Sequence, residues 1–81
     1  MLKMLKLKDE VKKMELDEVV EYLFWRDMYL HNFDGYYYII DCHNSIVYST
    51  HSYDPSIVLH ETEYYEVDED LREEVLNNWT A

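Results

Sequence analysis

The sequence predicts an α+β domain with an N-terminal helix, a three-stranded antiparallel meander and a C-terminal helix, the helices packed on one sheet face. Three observations support this prediction. Apolar residues recur at helical spacing early in the chain, aromatic and β-branched runs follow, and helical spacing returns near the end. With 81 residues, the chain is expected to form one small domain over residues 1–81, with a single core.

The first helix is predicted from residue 9 or residue 17 to about residue 30. Asp9 and Asp17 are alternative N-caps. A loop with Gly35 is expected to end the helix. One helical stripe collects Leu16, Val20, Leu23, Asp27 and Leu30.

Strands are predicted at residues 36–41 and 46–50, with a turn at residues 42–45, because both runs are rich in aromatic and β-branched residues. A third strand is predicted at residues 57–67. Asp54 and Pro55 are also a helix-start signal, so strand or helix stays open for that segment. Strand alternation turns some tyrosines away from the helices, toward a face that is suited to binding.

The last helix is predicted from Glu69 to about Trp79, with Asp68 as its N-cap. Glu69 and Asp70 in the first turn interact favourably with the helix dipole, so part of the acidity here has a structural explanation. Helical spacing is kept by Leu71, Val75, Leu76 and Trp79.

Charge is strongly uneven along the chain. Residues 1–13 hold five lysines against two acids, whereas residues 14–81 hold 16 acids against Arg26 and Arg72, which gives the net charge of −11. The basic lead at residues 1–8 is left open between a helical turn, a strand and a frayed tail. Such acidity repels nucleic acid and anionic membrane and attracts basic proteins, so the expected partner is a basic protein.

Residues 61–74 form an acidic band with tyrosines set into it, eight carboxylates against Arg72. Alternate residues on a strand lie roughly 6.6 to 6.8 Å apart, and acids four apart on a helix lie at about 5 to 6 Å between Cβ atoms. Both separations approach the phosphate spacing of a nucleic-acid strand. The solvated-face interpretation also remains open. The candidate partner-binding residues are Glu61, Glu63, Tyr64, Tyr65, Glu66, Asp68, Glu69, Asp70, Glu73 and Glu74.

No catalytic or cofactor motif is found, and the sequence predicts a protein that is not an enzyme and needs no cofactor or metal. The four histidines and the single cysteine lack the tightly spaced Cys or His pairs that zinc sites favour. Adjacent Cys42 and His43 would point to opposite faces of a strand end, which argues against nucleophilic catalysis. The candidates considered for a metal are His31, Cys42, His43, His51 and His60.

Small size, acidity, element order and the acidic band together resemble the small phage-encoded inhibitors that mimic nucleic acid, including certain anti-CRISPR proteins and inhibitors of DNA repair enzymes. This resemblance is one of class rather than of a shared motif. It implies inhibition of a basic nucleic-acid-binding host protein, such as a CRISPR nuclease, by DNA mimicry. The basic residues 3–13 depart from a uniformly acidic mimic and leave open whether the whole surface or its C-terminal half faces the target.

The alternative prediction is a small adaptor or self-associating domain, with a homodimer as one form, that uses an apolar sheet face or Trp25 and Trp79. A single cysteine favours a reducing compartment. Residues 1–7 lack an apolar run long enough for a signal peptide or a membrane span. A cytoplasmic location is therefore expected.

Overall fold

One antiparallel sheet of five strands organises the computed structural model of the chain, which describes residues 4–6, 14–50 and 63–80. The strand order is β1-β5-β4-β3-β2. The elements are β1 (Met4–Lys6), α1 (Leu16–Phe24), β2 (Met28–Phe33), β3 (Tyr36–Asp41), β4 (Ile46–Ser49), β5 (Glu63–Glu66) and α2 (Glu69–Thr80).

The predicted α+β class and antiparallel sheet are confirmed, whereas the predicted strand number is wrong. Strands β2 to β5 form a four-stranded meander, and β1 pairs with β5 at its far edge. The basic lead, for which the prediction left three conformations open, therefore contains a strand, Met4–Lys6. Of the predicted third strand, residues 63–66 are strand, and residues 57–62 lie outside the described residues.

The prediction that the first helix continues to about residue 30 is wrong. Helix α1 ends at Phe24, and the chain turns through Asp27 at a φ of +62°. Met28–Phe33 then pairs with β3 along its whole length. Within this strand Met28 and Leu30 share one face, so their apolar character suits a strand as well as a helix.

A two-residue turn at Asp34 and Gly35 joins β2 to β3, rather than a loop that ends a helix. Both residues have positive φ, +53° and +86°. Asp-Gly is a favoured pair for such tight hairpins, because aspartate tolerates the left-handed backbone conformation and glycine adopts it readily.

The next turn, between β3 and β4, depends on the carboxylate of Asp41, which is buried. It accepts hydrogen bonds from the backbone N–H of Asn44 at 3.2 Å and from the Asn44 side-chain amide at 2.9 Å. Both local hairpins are thus fixed by short-range chemistry.

The two helices pack on opposite faces of the sheet, which corrects the predicted one-face arrangement. On one face α1 buries Val19 and Leu23 against Ile39. On the other face α2 buries Val75 against Ile40 and its neighbours. Because consecutive strand residues point to opposite faces, a sheet buried at both of these adjacent isoleucines must be covered on both sides.

Helix α2 confirms the prediction for the C-terminal segment. The backbone N–H of Leu71 donates to Oδ1 of Asp68 at 2.9 Å, which caps the helix. Val75 is fully buried, with Leu71, Leu76 and Trp79 packed around it. This packing fixes which side of the helix is left to solvent.

Candidate functional site

Four carboxylates project from the side of α2 that faces away from the sheet. All four residues, Glu69, Asp70, Glu73 and Glu74, are exposed, and we call them the acidic stripe. They lie on the opposite side of the helix from Val75, which is fully buried. Since each residue of a helix rises about 1.5 Å, the pairs 69/73 and 70/74 are each separated by roughly 6 Å along the axis.

Arg72 only partly neutralises the acidic stripe. Its guanidinium lies 3.7 Å from Oε1 of Glu69 and 3.3 Å from Oε1 of Glu73. The two glutamate side chains are 82% and 59% exposed, so each pair contributes at most about 1 kcal/mol to stability. Four carboxylates against one guanidinium leave the stripe negative.

Strand β5 divides the remaining predicted residues between the two sheet faces. Tyr64, 2% exposed, is buried on the α1 face. Glu66, the last residue of β5, pairs with Tyr48 on that face, is partly buried, and also borders the groove described below. Tyr65, 49% exposed, belongs to the α2 face, as the acidic stripe does. Of the two tyrosines among the predicted partner-binding residues, only Tyr65 is exposed.

The other predicted residues differ in how far the structure places them. Asp68 is exposed and caps α2 beside the acidic stripe. Glu63 begins β5, where it pairs with Lys6 in the backbone register. Glu61 lies outside the described residues. The structure therefore brings Tyr65, Asp68 and the acidic stripe together on the α2 side.

A groove of about 670 Å³ opens next to the start of α2. Sequence reasoning did not assign Tyr36, Tyr38 and Ser49 to it, although the alternation of the two tyrosines along β3 was a signal that they share a face. We call it the tyrosine groove. Its described lining residues are Tyr36, Tyr38, Ser49, Tyr65, Glu66, Val67, Asp68 and Leu71.

Burial and nearby charges both affect the ionisation of Tyr38, which lines this groove. Burial raises the pKa of its hydroxyl, and the charges of Asp34, Tyr36 and Glu74 raise that pKa further. On the opposite face burial also raises the pKa of Tyr48, with Asp41 and Glu66 adding to it. An anionic phenolate is disfavoured in both places, so the negative charge beside the groove comes from nearby carboxylates and not from an ionised tyrosine.

A separate apolar surface lies along and just beyond α1. Val20, Phe24 and Trp25 are exposed, Trp25 by 76%, and we call them the aromatic patch. The Phe24 ring meets Trp25 and Tyr29 edge-on, each at 6.1 Å between centroids. An exposed cluster of apolar and aromatic side chains of this kind is typical of an interaction surface.

The described histidines are engaged or isolated rather than clustered. Nε2 of His31 lies 2.7 Å from Oδ1 of Asn78, and His43 is exposed in a turn. His51 and His60, the other two histidines considered as metal ligands, lie outside the described residues. Within the part that the structure describes, no three histidine, cysteine or acidic side chains are arranged to hold a metal ion.

Cys42 is expected to react slowly with alkylating reagents. Burial raises the pKa of its thiol, and Asp27 and Asp41 raise that pKa further, so less thiolate is present at a given pH. Iodoacetamide labelling between about pH 7 and pH 9 should be slower in the folded chain than in denaturant. Because the chain has one cysteine, mass spectrometry reports this site alone. Equal rates in both states would contradict the expectation.

No protein-family model matches the chain, and no curated protein or solved structure shows significant similarity to it. Neither helix within the described residues has the length and apolar character needed to cross a bilayer.

Proposed function

We propose that this chain is an inhibitor that binds a basic nucleic-acid-binding protein, such as a CRISPR nuclease, by presenting carboxylates in place of phosphates. The acidic stripe of α2 carries this proposal: four exposed carboxylates at one-turn spacing on one side of a helix, against a single arginine. Like charges one turn apart each cost a few tenths of a kcal/mol. The helix dipole offsets this cost for Glu69 and Asp70 in the first turn, so stability alone does not account for Glu73 and Glu74 beyond it.

The inhibitor acts by occupying a site rather than by chemistry. A groove that binds nucleic acid is lined with Lys and Arg, whose field attracts an acidic helix and speeds the encounter. Asp68 and Tyr65 extend the acidic stripe toward the sheet, and the Tyr65 ring supplies apolar contact between charges. Such binding weakens as salt rises, because exposed charges are screened over a Debye length of about 8 Å at physiological ionic strength.

In this proposal the inhibitor binds its target in the cytoplasm, where nucleases and repair enzymes bind nucleic acid. The single cysteine accords with a reducing compartment. The mechanism requires neither a cofactor nor a metal ion.

Capture from bacterial lysate tests the proposal. The tagged 81-residue chain is incubated with lysate at low salt, and half of the sample is challenged with excess duplex DNA. Recovery of a basic nucleic-acid-binding protein that DNA and high salt both displace is the expected result. Recovery of no protein, or only of proteins indifferent to DNA and salt, would contradict it.

The aromatic patch favours a second function, that of a small adaptor or self-associating domain. Its exposed Trp25, Phe24 and Val20 would bury apolar area against a second copy or an apolar partner. The predicted open sheet face is limited to the parts that the helices leave uncovered, where Tyr36 and Tyr65 are exposed.

Light scattering at two ionic strengths separates the second function from the first. A dimer held by the aromatic patch should persist at high salt, and Trp25→Ser should return it to a monomer. Trp25 is 76% exposed, so this change should leave the melting temperature nearly unaltered. A wild-type chain that is monomeric at both salt concentrations would exclude self-association through this patch.

A further inference from the structure

We propose that the tyrosine groove binds an arginine side chain of the basic partner. This inference rests on the proposed function and names the chemistry by which the partner is recognised. The groove lies on the same sheet face as α2, beside the Asp68 cap, so one approaching surface can reach both it and the acidic stripe.

The strand register sets tyrosines on both sides of Ser49 in the groove. Tyr38 on β3 pairs with Ser49 on β4, and Ser49 pairs with Tyr65 on β5, so the three side chains share one face in a row. Neighbouring strands lie about 4.8 Å apart, which sets the tyrosine backbones roughly 10 Å apart. The small serine between them leaves the space over the middle strand open.

The exposed tyrosines of the groove suit a flat group. Tyr36 and Tyr65 are 47% and 49% exposed, whereas Tyr38 is largely buried. A planar group packs against an aromatic ring at about 3.5 to 4.0 Å. A guanidinium is planar and stacks on aromatic faces, so it can contact the exposed tyrosines while it lies in the groove.

The charge of the groove selects a cation. Asp68 lies at its helix end, and the Tyr38 hydroxyl lies within the influence of Asp34 and Glu74. None of the described lining residues is basic. Phosphate and carboxylate groups are therefore repelled, whereas a cation gains both Coulomb attraction and contact with the electron-rich ring faces.

Arginine fits this environment better than lysine does. Its guanidinium is more weakly hydrated than an ammonium and offers several N–H donors in one plane. Those donors can reach the Asp68 carboxylate at the rim while the flat face contacts the rings. A lysine ammonium would satisfy the charge but has no flat face to stack on the rings.

Binding of labelled peptides tests this inference. Fluorescence anisotropy is measured with a fluorescein-labelled peptide of alternating glycine and arginine, with a lysine version, and with a version carrying citrulline, the neutral isostere of arginine. We expect the arginine peptide to bind about fivefold more tightly than the lysine peptide, and the citrulline peptide to bind least.

Two matched substitutions report whether the ring faces are used. Tyr65→Leu keeps apolar bulk but removes the aromatic face, so it should weaken arginine-peptide binding about fivefold, whereas Tyr65→Phe should stay within about twofold of wild type. Tyr36→Leu and Tyr36→Phe should have the same respective effects on arginine-peptide binding. Both tyrosines are about half exposed, and unchanged melting curves would show that each variant folds.

The outcomes separate this inference from the proposed function. Equal affinity for arginine and lysine peptides, together with unaltered binding by both leucine variants, would overturn the groove as an arginine site. The lysate capture could still succeed in that case, because it depends on the acidic stripe. Selective arginine binding that depends on the tyrosine rings would support the groove even if the lysate yielded no nucleic-acid-binding protein.

Discussion

Exchange of Glu69 and Glu73 for lysine is expected to abolish capture of the basic partner, with an affinity loss of at least about 100-fold. The double change removes two carboxylates from the acidic stripe and sets two cations against a basic surface. The fold should survive, because both side chains are exposed and lose only weak surface pairs with Arg72. Affinity by surface plasmon resonance and melting by circular dichroism measure the two effects.

The chain supplies a matched control for this change on α1. Asp17 and Glu21 are also exposed acids one helical turn apart, but α1 packs on the opposite sheet face from α2. Asp17→Lys with Glu21→Lys alters net charge by the same amount and removes one local bond, from the Glu18 N–H at 3.0 Å. Partner affinity should fall much less than in the α2 variant. Equal losses in both variants would show that total charge, rather than the acidic stripe, determines binding.

Truncation of either central isoleucine of β3 should severely destabilise the domain. Ile39 and Ile40 are both fully buried, one under α1 and the other under α2. Ile39→Ala and Ile40→Ala should each lower the free energy of unfolding by about 3 kcal/mol, because each removes buried methyl groups and leaves a cavity. For a chain of this size that is a large share of a total of roughly 4 to 12 kcal/mol.

Urea denaturation of the two alanine variants also tests the two-sided architecture. A sheet covered on one face would lose stability from only one of the adjacent substitutions. Losses of similar size at both positions agree with helices on opposite faces. The matched valine variants, which remove one methylene each, should lose about 1 kcal/mol. A cost below about 1 kcal/mol for either alanine variant would contradict the described packing.

The hairpin β3–β4 and helix α2 could be predicted because their signals are local. Tyr36–Asp41 and Ile46–Ser49 are rich in aromatic and β-branched residues, and Asp68 precedes a clear helical period. The orientation of the acidic stripe follows from the same period, since Val75 faces the core and the acids fall on the opposite side.

The end of α1 could not be placed from apolar spacing alone, because Met28 and Leu30 satisfy a helix and a strand equally well. The informative signal was the Asp34-Gly35 pair, which closes a tight hairpin and therefore requires a strand on each side. Strand β1 has only three residues, too few to establish a period.

The placement of helices on both faces had a signal in the run Tyr38, Ile39, Ile40, which is apolar at consecutive positions and buried throughout. A strand covered on one face alternates, whereas a strand covered on both does not need to. The alternation of Tyr36 and Tyr38 indicated a shared face, but the whole tyrosine groove could not be predicted, because it depends on a register that joins Tyr38, Ser49 and Tyr65 across three strands.

Displacement of DNA from the captured protein tests the mimicry most directly. The purified partner is loaded with a fluorescently labelled DNA duplex, and anisotropy is followed as this chain is added. DNA mimicry predicts full release of the duplex, with release lost in the variant carrying Glu69→Lys and Glu73→Lys and retained in the α1 control. A duplex that stays bound while the chain joins it in a ternary complex would contradict occupation of the nucleic-acid site.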